Sequence, residues 1–325
     1  MVQQITKWRF SLLHIVLFLA TRRGCRFFQA MKHLLPDARF TVFSFREDPW
    51  EPPFLDDLRT RVTLAGGEFF EACNPASPDL QTFWASARVD LLFAVSWRYV
   101  IAPQIYQRAR QGAFAFHDSM LPEYRGFAPT VWSVINDRDY TGVSLFWMAE
   151  QFDAGDLVDQ ERVSFGPDEV IADILERVSD TYLVVLERCM PAIVKGTAAR
   201  SVQDHSLASY TCKRLPSDNG IDWTWPSRRI YNLIRAVSKP YPGAFTTVGA
   251  RRLYIWDARP QAAACRYVGV IAGRVVNIGP SGVSVLAGDG VALVLTRVQL
   301  EGADVVHAAE VLTRLNQTLG NGGLV

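Results

Sequence analysis

Residues 10–20 read FSLLHIVLFLA, and what this run becomes decides the fold. Lys7 and Arg9 precede it, which gives it the outline of a secretory leader. However, Thr21-Arg22-Arg23 follow at once, and no small-x-small cleavage site is present. The run is also well short of the roughly 20 apolar residues that span a bilayer. A buried strand of a parallel sheet explains it better, because such strands are apolar without interruption. We place that strand at 14–20. A helix with apolar residues at helical spacing follows over 25–35 and stops before Pro36.

A second apolar run occupies 40–45, and weaker ones lie at 62–64 and 69–70. After a helical stretch around 80–88, residues 89–95 (VDLLFAV) read as a buried strand, as do 113–117 (AFAFH) and, more weakly, 142–148. Helical spacing runs over 171–193 and ends at Lys195-Gly196. Strands alternating with helices predict an α/β domain whose sheet is rich in parallel pairs. In such sheets ligands bind beyond the carboxyl ends of the strands, so the residues after Val95 and Phe116 are the ones to inspect. After Arg200 the texture changes. A short helix at 230–237 leads to the turn cluster Pro240-Tyr241-Pro242-Gly243. Short β-like runs then occupy 244–248, 253–256, 267–271, 273–278, 283–286 and 291–298, which predicts a small barrel or Greek-key domain. The expected division is 1–204 and 205–325.

Composition agrees with two domains. The chain has 325 residues, 49% hydrophobic and 21% charged, which excludes disordered, collagen-like and disulfide-scaffold classes. Its net charge of +1 hides an asymmetry. From residue 205 on there are 13 Lys/Arg against 7 Asp/Glu, and before it 21 against 26. The five cysteines are scattered, with no CxxC pair or Cys/His cluster, so neither a metal nor a disulfide is expected and the setting reads as cytoplasmic.

Among the five histidines, His14, His33, His205 and His307 read as structural. His117 ends a buried strand and opens Asp118-Ser119-Met120-Leu121-Pro122, a good place for acid/base chemistry. Asp153, in Gln151-Phe152-Asp153-Ala154-Gly155-Asp156, either supports a histidine or satisfies loop amides, and the sequence leaves both open. No phosphate-binding glycine loop and no G-x-S-x-G elbow is present.

His117-Asp118-Ser119-Met120-Leu121-Pro122-Glu123-Tyr124-Arg125-Gly126, with Ala128-Pro129, resembles the signature N-x-H-x-S-L-L-P-x-x-R-G. Thr141-Gly142-Val143, Met148 and Asp153-Ala154-Gly155-Asp156 resemble its companion, T-G-V-x-x-x-x-M-x-x-x-x-D-x-G-D. Both belong to the folate-dependent formyltransferases, which act on glycinamide ribonucleotide, methionyl-tRNA or amino sugars. Ile221-Asp222-Trp223, Ile234-Arg235-Ala236 and Pro242-Gly243-Ala244-Phe245 resemble the C-terminal β domain of the tRNA and some sugar enzymes. The wording is most similar to the formyltransferase part of the bifunctional UDP-4-amino-4-deoxyarabinose enzyme.

The resemblance implies a Rossmann-like catalytic domain followed by an OB-like β barrel, with N10-formyltetrahydrofolate as formyl donor and no metal. It makes His117 the acid/base and Asp153 its support. The family's carbonyl-polarising Asn falls on Ala115, a departure with three explanations: another donor, altered or lost chemistry, or an engineered change. Losing one oxyanion donor typically costs about 10²–10³ in kcat. By position, Tyr99, Val100 and Ile101 match the pterin-pocket segment, with Ser119 near it and Ala149, Glu150, Gln151, Phe152 and Asp153 forming the second loop. Arg125, Gly126, Phe127 and Tyr241 match substrate positions, although Phe127 replaces an arginine. The tRNA enzymes carry a basic insertion after the second strand. Here that region is Arg46-Glu47-Asp48-Pro49-Trp50-Glu51-Pro52-Pro53 with Asp56-Asp57, acidic where phosphates would sit. The expected partner is therefore a small amine, either an amino sugar nucleotide or a natural-product amine. A methionyl-tRNA substrate and a silent folate-binding protein are the alternatives.

Overall fold

A computed structural model describes residues 13–261 and 267–320. Residues 10–12 of the opening run and Cys265 lie outside the described residues. The chain divides into two compact units. The first comprises Met1–Arg125, Gly142–Glu161 and Ser179–Ser209. The second comprises Gly126–Thr141, Arg162–Val178 and Tyr210–Val325.

The opening run does form a buried strand, β1 (His14–Leu19), every residue of which is inaccessible to solvent or nearly so. His14 at its start is satisfied internally, with Nε2 2.9 Å from the Thr41 hydroxyl and Nδ1 3.2 Å from the Arg88 carbonyl. Burial, then the Arg39 charge, holds this imidazole below its ordinary pKa. Helix α1 (Thr21–Leu34) begins four residues earlier than its apolar pattern indicated. Its first turn is polar because Arg22 faces solvent, while Gly24, Cys25, Phe27, Phe28 and Met31 form the buried face. There follow β2 (Arg39–Ser44), α2 (Leu55–Leu64), β3 (Glu68–Glu71), α3 (Gln81–Ser86), β4 (Leu91–Val95), α4 (Pro103–Tyr106) and β5 (Gly112–His117). Residues 62–64 thus belong to a helix and not to a strand. Leu55, Leu58 and Val62 line its buried side, and Asp56 and Asp57 suit the positive end of its dipole.

Short β6 (Arg125–Gly126) and α5 (Pro129–Ile135) precede β7 (Tyr140–Trp147), β8 (Leu157–Ser164) and the long α6 (Ile171–Val194). The main sheet has the order β3-β2-β1-β4-β5-β7-β8. It is parallel from β3 to β5, and β7 joins antiparallel to β5. One row of side chains crosses it in register: Phe43, Phe18, Ala94, Ala115 and Phe146. Phe18 and Phe43 stack at 5.0 Å and are fully buried, each such ring contributing roughly 1.5–3 kcal/mol.

The second unit carries β9 (Tyr210–Thr211), α7 (Ser227–Ala236), β10 (Ala244–Val248), β11 (Arg251–Pro260), β12 (Val275–Gly279), β13 (Gly282–Leu286), β14 (Ala292–Leu300), β15 (Val305–His307) and α8 (Ala308–Val311). Its antiparallel sheet runs β10-β11-β14-β13-β12, with β15 on the other part of β14. Residues 267–271 do not form a strand. Val268 is 92% exposed and the segment has no ladder partner among the described residues, so nothing fixes it as one. In α7 the buried Arg235 is held by Asn232 Oδ1 at 2.9 Å and the Glu169 carbonyl at 2.9 Å. No helix among the described residues is long and apolar enough to cross a membrane.

Candidate active site

The carboxyl end of β5 delivers His117, which is 8% exposed. Its Nε2 donates to the Tyr124 carbonyl at 2.7 Å. A carbonyl can only accept, so this bond places the proton of the neutral ring on Nε2 and leaves Nδ1 as the basic nitrogen. Nδ1 stands 3.7 Å from Asp153 Oδ2. That is too long for a hydrogen bond with the neutral ring but close enough for a carboxylate to stabilise the imidazolium.

Each partner is fixed by its own surroundings. Tyr124 holds a left-handed backbone (φ 58°), which turns its carbonyl toward the ring. The intervening turn is cross-braced: the Ser119 hydroxyl donates to the Glu123 carbonyl at 2.6 Å, and the Ser144 hydroxyl to the Ser119 carbonyl at 2.6 Å. Gln160 Nε2 reaches the Leu121 carbonyl at 2.9 Å and Ser144 Oγ at 2.7 Å. Asp153 sits in a loop tied at both ends, by Met148 N to the Ala113 carbonyl and by Trp147 N to the Asp156 carbonyl. A Cβ on Gly155 would meet the Trp147 carbonyl at 1.7 Å, so only glycine permits this approach. Asp153 itself has φ 52°, a conformation that Asp tolerates better than most residues.

Next to the histidine, Asp118 is gripped by Arg23 Nη1 at 2.8 and 3.0 Å and by the Tyr182 hydroxyl. Burial alone would raise this carboxyl. The Arg23 guanidinium, the Tyr182 hydroxyl and the His117 imidazole outweigh it and hold the group below its ordinary range. Burial, then the Asp118 charge, pushes the Tyr182 phenol well above its ordinary value.

The other expected site residues divide. In the first unit, the backbone amides of residues 99–101 make no hydrogen bond among the described residues. Tyr99 lies edge-on to Phe45 at 4.9 Å, Val100 is exposed and Ile101 is buried. Ala149, Glu150, Gln151 and Phe152 are exposed on the Asp153 loop, Phe152 by 69%. Ser119 is 2% exposed and its hydroxyl is spent on the turn. Arg125 is 1% exposed, with Nη2 bonded to Gln203 Oε1 at 2.6 Å and to His205 Nδ1 at 2.9 Å. Gly126, Phe127 and Tyr241 belong to the second unit. There the Phe127 amide donates to the Thr211 carbonyl at 3.2 Å, and the ring is 43% exposed.

Sequence reading missed Gln203. Its Nε2 donates to the carbonyls of Asp153 at 2.8 Å and Gly155 at 2.7 Å, while its Oε1 accepts from Arg125. A single glutamine some fifty residues away from the aspartate therefore shapes the Asp153 loop, and no local motif announces it. Arg23 and Tyr182 were missed for the same reason.

A buried imidazole with a fixed tautomer and a carboxylate near its other nitrogen is an arrangement that can take up and return a proton. Residues 41–188 match the family model described as formyl transferase, and residues 215–316 match that of the formyl transferase C-terminal domain. In fold, the chain is similar to the N-formyltransferase from Helicobacter canadensis in complex with folinic acid and dTDP-3-aminofucose. Identity there is 14% and the TM-score 0.65, over 88% of this chain and 99% of that one. It is also similar to HypX from Aquifex aeolicus in complex with tetrahydrofolic acid, at 17% identity and a TM-score of 0.62, over 91% of this chain but 46% of that one. The chain thus spans about half the length of HypX. Methionyl-tRNA formyltransferase from Clostridium thermocellum gives 16% identity and a TM-score of 0.54, over 80% of this chain and 97% of that one. The two matched segments follow one another in the family's order and together cover most of the sequence, and the chain belongs to the formyl transferase family of enzymes.

Proposed function

We propose that the protein moves a formyl group from N10-formyltetrahydrofolate to the amine of a small substrate. The observation that carries this reading is the His117–Asp153 pair, with Nε2 locked onto Tyr124 and Nδ1 facing the carboxylate at 3.7 Å. The attacking amine must lose a proton as it bonds to the formyl carbon. Nδ1 of His117 is the group positioned to take it, and Asp153 offsets the charge that the ring then carries. The same ring returns the proton to the folate nitrogen that leaves.

The donor's ring system fits the residues present. The unpaired amides of residues 99–101, beside the Phe45 and Tyr99 rings, offer hydrogen bonds and an aromatic wall to a flat heterocycle, and Phe152 on the Asp153 loop is exposed. Folate ligands on two proteins of similar fold support the same donor.

A small amine is favoured over tRNA by the acidic segment after β2. Asp48 and Glu51 there are paired with Arg98 at 3.1 Å and at close range, and Asp56 lies 3.8 Å from Arg46 and 3.7 Å from Arg59, so arginines that could meet phosphates are already engaged by carboxylates. Among small amines we favour an amino sugar nucleotide, in line with the dTDP-3-aminofucose bound by the Helicobacter protein. We further propose that residues 1–204 form the catalytic domain and residues 205–325 an OB-like domain, and that the enzyme works in the cytoplasm without a metal. Incubation with N10-formyltetrahydrofolate and a panel of amino sugar nucleotides and natural-product amines tests the proposal. Tetrahydrofolate release with one of them supports it, and folate binding without turnover would favour altered chemistry.

A further inference from the structure

The amino end of the main sheet carries a cavity of about 320 Å³, lined by His14, Arg39, Ser86, Arg88, Asp90 and Arg110. All six belong to the first unit. The topology explains how they meet. His14 opens β1, Arg39 opens β2, Asp90 immediately precedes β4, and Arg110 lies two residues ahead of β5. These strands are parallel neighbours in the order β2-β1-β4-β5, so their amino ends share one edge. Helix α3 ends at Ser86, and its connection to β4 brings Arg88 to the same edge. His117 stands at the other end of β5, roughly 17 Å along the strand from Gly112 at 3.3 Å per residue. The cavity is therefore separate from the candidate active site.

Three guanidiniums here face one carboxylate. Asp90 is 5% exposed and both of its oxygens are used: Oδ2 accepts from the His14 amide at 2.9 Å, and Oδ1 accepts from Arg110 at close range. Arg39 gives one nitrogen to Glu68 at 2.8 Å, and Glu68 lies outside the lining. A guanidinium carries five N–H donors, so Arg39 and Arg110 both keep donors for a ligand. The exposed Arg88 side chain has no hydrogen-bond or ion-pair partner among the described residues. At neutral pH His14 adds no charge, because burial and then Arg39 hold its imidazole below the ordinary value. The lining thus carries an excess of positive charge, the reverse of the segment after β2, where carboxylates outnumber arginines. Like charges around one cavity repel each other, and a bound anion relieves that repulsion.

We propose that this cavity binds the phosphate group of a small anion, held by Arg39, Arg88 and Arg110. The planar guanidinium fork matches phosphate oxygens two at a time, which a lysine ammonium cannot do. Pockets that take small molecules run from roughly 300 to 1,000 Å³, so this one has room for a phosphate and for the body of a small phosphomonoester. Asp90 does not oppose the anion strongly, since its charge is already shared between the His14 amide and Arg110. The site goes beyond the formyl-transfer reading and does not depend on it.

Calorimetric titration of the full chain with inorganic phosphate and with ribose 5-phosphate, at low ionic strength, tests the proposal on wild type, R88A and R88E. Arg88 is exposed and bonds to no described residue, so both variants should melt as wild type does. One binding site per chain is expected. R88A should weaken it about 10-fold or more, as loss of a charge-assisted hydrogen bond requires, and R88E should abolish it. Tighter binding of ribose 5-phosphate than of phosphate would assign the cavity to a phosphorylated small molecule, and equal binding would assign it to the free oxyanion; both support the site. Binding of neither probe, or binding that R88A and R88E leave unchanged, would overturn the inference and leave the formyl-transfer reading standing.

Discussion

Nδ1 of His117 lies 3.7 Å from Oδ2 of Asp153, while the opposite nitrogen of the same ring is bonded to the Tyr124 carbonyl at 2.7 Å. One bond chooses the tautomer and the other contact waits for a proton. Removing the carboxylate should therefore damage the charged state of the ring and not its position. D153N is expected to lower kcat by about 10²-fold or more with little change in the affinity for folate. Steady-state kinetics beside a folate-binding titration check the split, and an equal loss in both would contradict it.

Gly155 holds the Asp153 loop against β7. G155A would bring a methyl group into the Trp147 carbonyl, 1.7 Å away, so the loop must move. A stability loss of about 2 kcal/mol or more is expected, with activity lost alongside. Chemical denaturation measures the first, and a variant as stable as wild type would show that the loop packs differently.

Gln203 joins Arg125 to the Asp153 loop. Q203L leaves the buried guanidinium short of an acceptor and frees two loop carbonyls, at a cost of about 1–3 kcal/mol. Because the loop carries Asp153, kcat should fall together with stability, whereas a purely internal brace would lower the melting temperature alone.

The Arg23–Asp118 pair makes acid stability a readout of the site's frame. The folded-state pKa of Asp118 lies below its ordinary value, so its contribution is fully present above the unfolded carboxyl pKa of about 3.9 and is lost as pH falls through the folded value. Both side chains are largely buried, 10% and 17% exposed, and breaking such a pair costs about 3–5 kcal/mol. D118N should be less stable than wild type at neutral pH, and the gap should narrow below about pH 4. Thermal melts across that range check it, and parallel curves would refute the assignment.

The proposed small-amine substrate predicts no binding of tRNA. Charged initiator tRNA should give no mobility shift even at low ionic strength, where phosphate contacts are strongest. A salt-dependent shift would restore tRNA as the substrate.

Much of the candidate site's frame was legible because it is local. The buried strands β1, β4 and β5 announce themselves as apolar runs, and His117 and Asp153 each sit in a turn with its own motif. What escaped was weakly patterned or distant. In α2 the three buried positions Leu55, Leu58 and Val62 are separated by charged residues, so only the last three residues of the helix looked apolar. β8 reads LVDQERVS, with most positions half-buried, and carries no clear alternation. Residues 267–271 have strand-like composition but no ladder partner among the described residues, and composition cannot supply one. Gln203, Arg23 and Tyr182 reach the site from far along the chain through bonds that only folding creates.

The central claim is that this chain transfers a formyl group using His117 as its base. The most direct measurement is tetrahydrofolate release from N10-formyltetrahydrofolate with a panel of amino sugar nucleotides and small amines, run on wild type and H117N side by side. Turnover with at least one amine, reduced about 10²–10⁴-fold in H117N while folate still binds, is the expected result. Turnover at the same rate in both proteins, or none with any amine although folate binds, would contradict it.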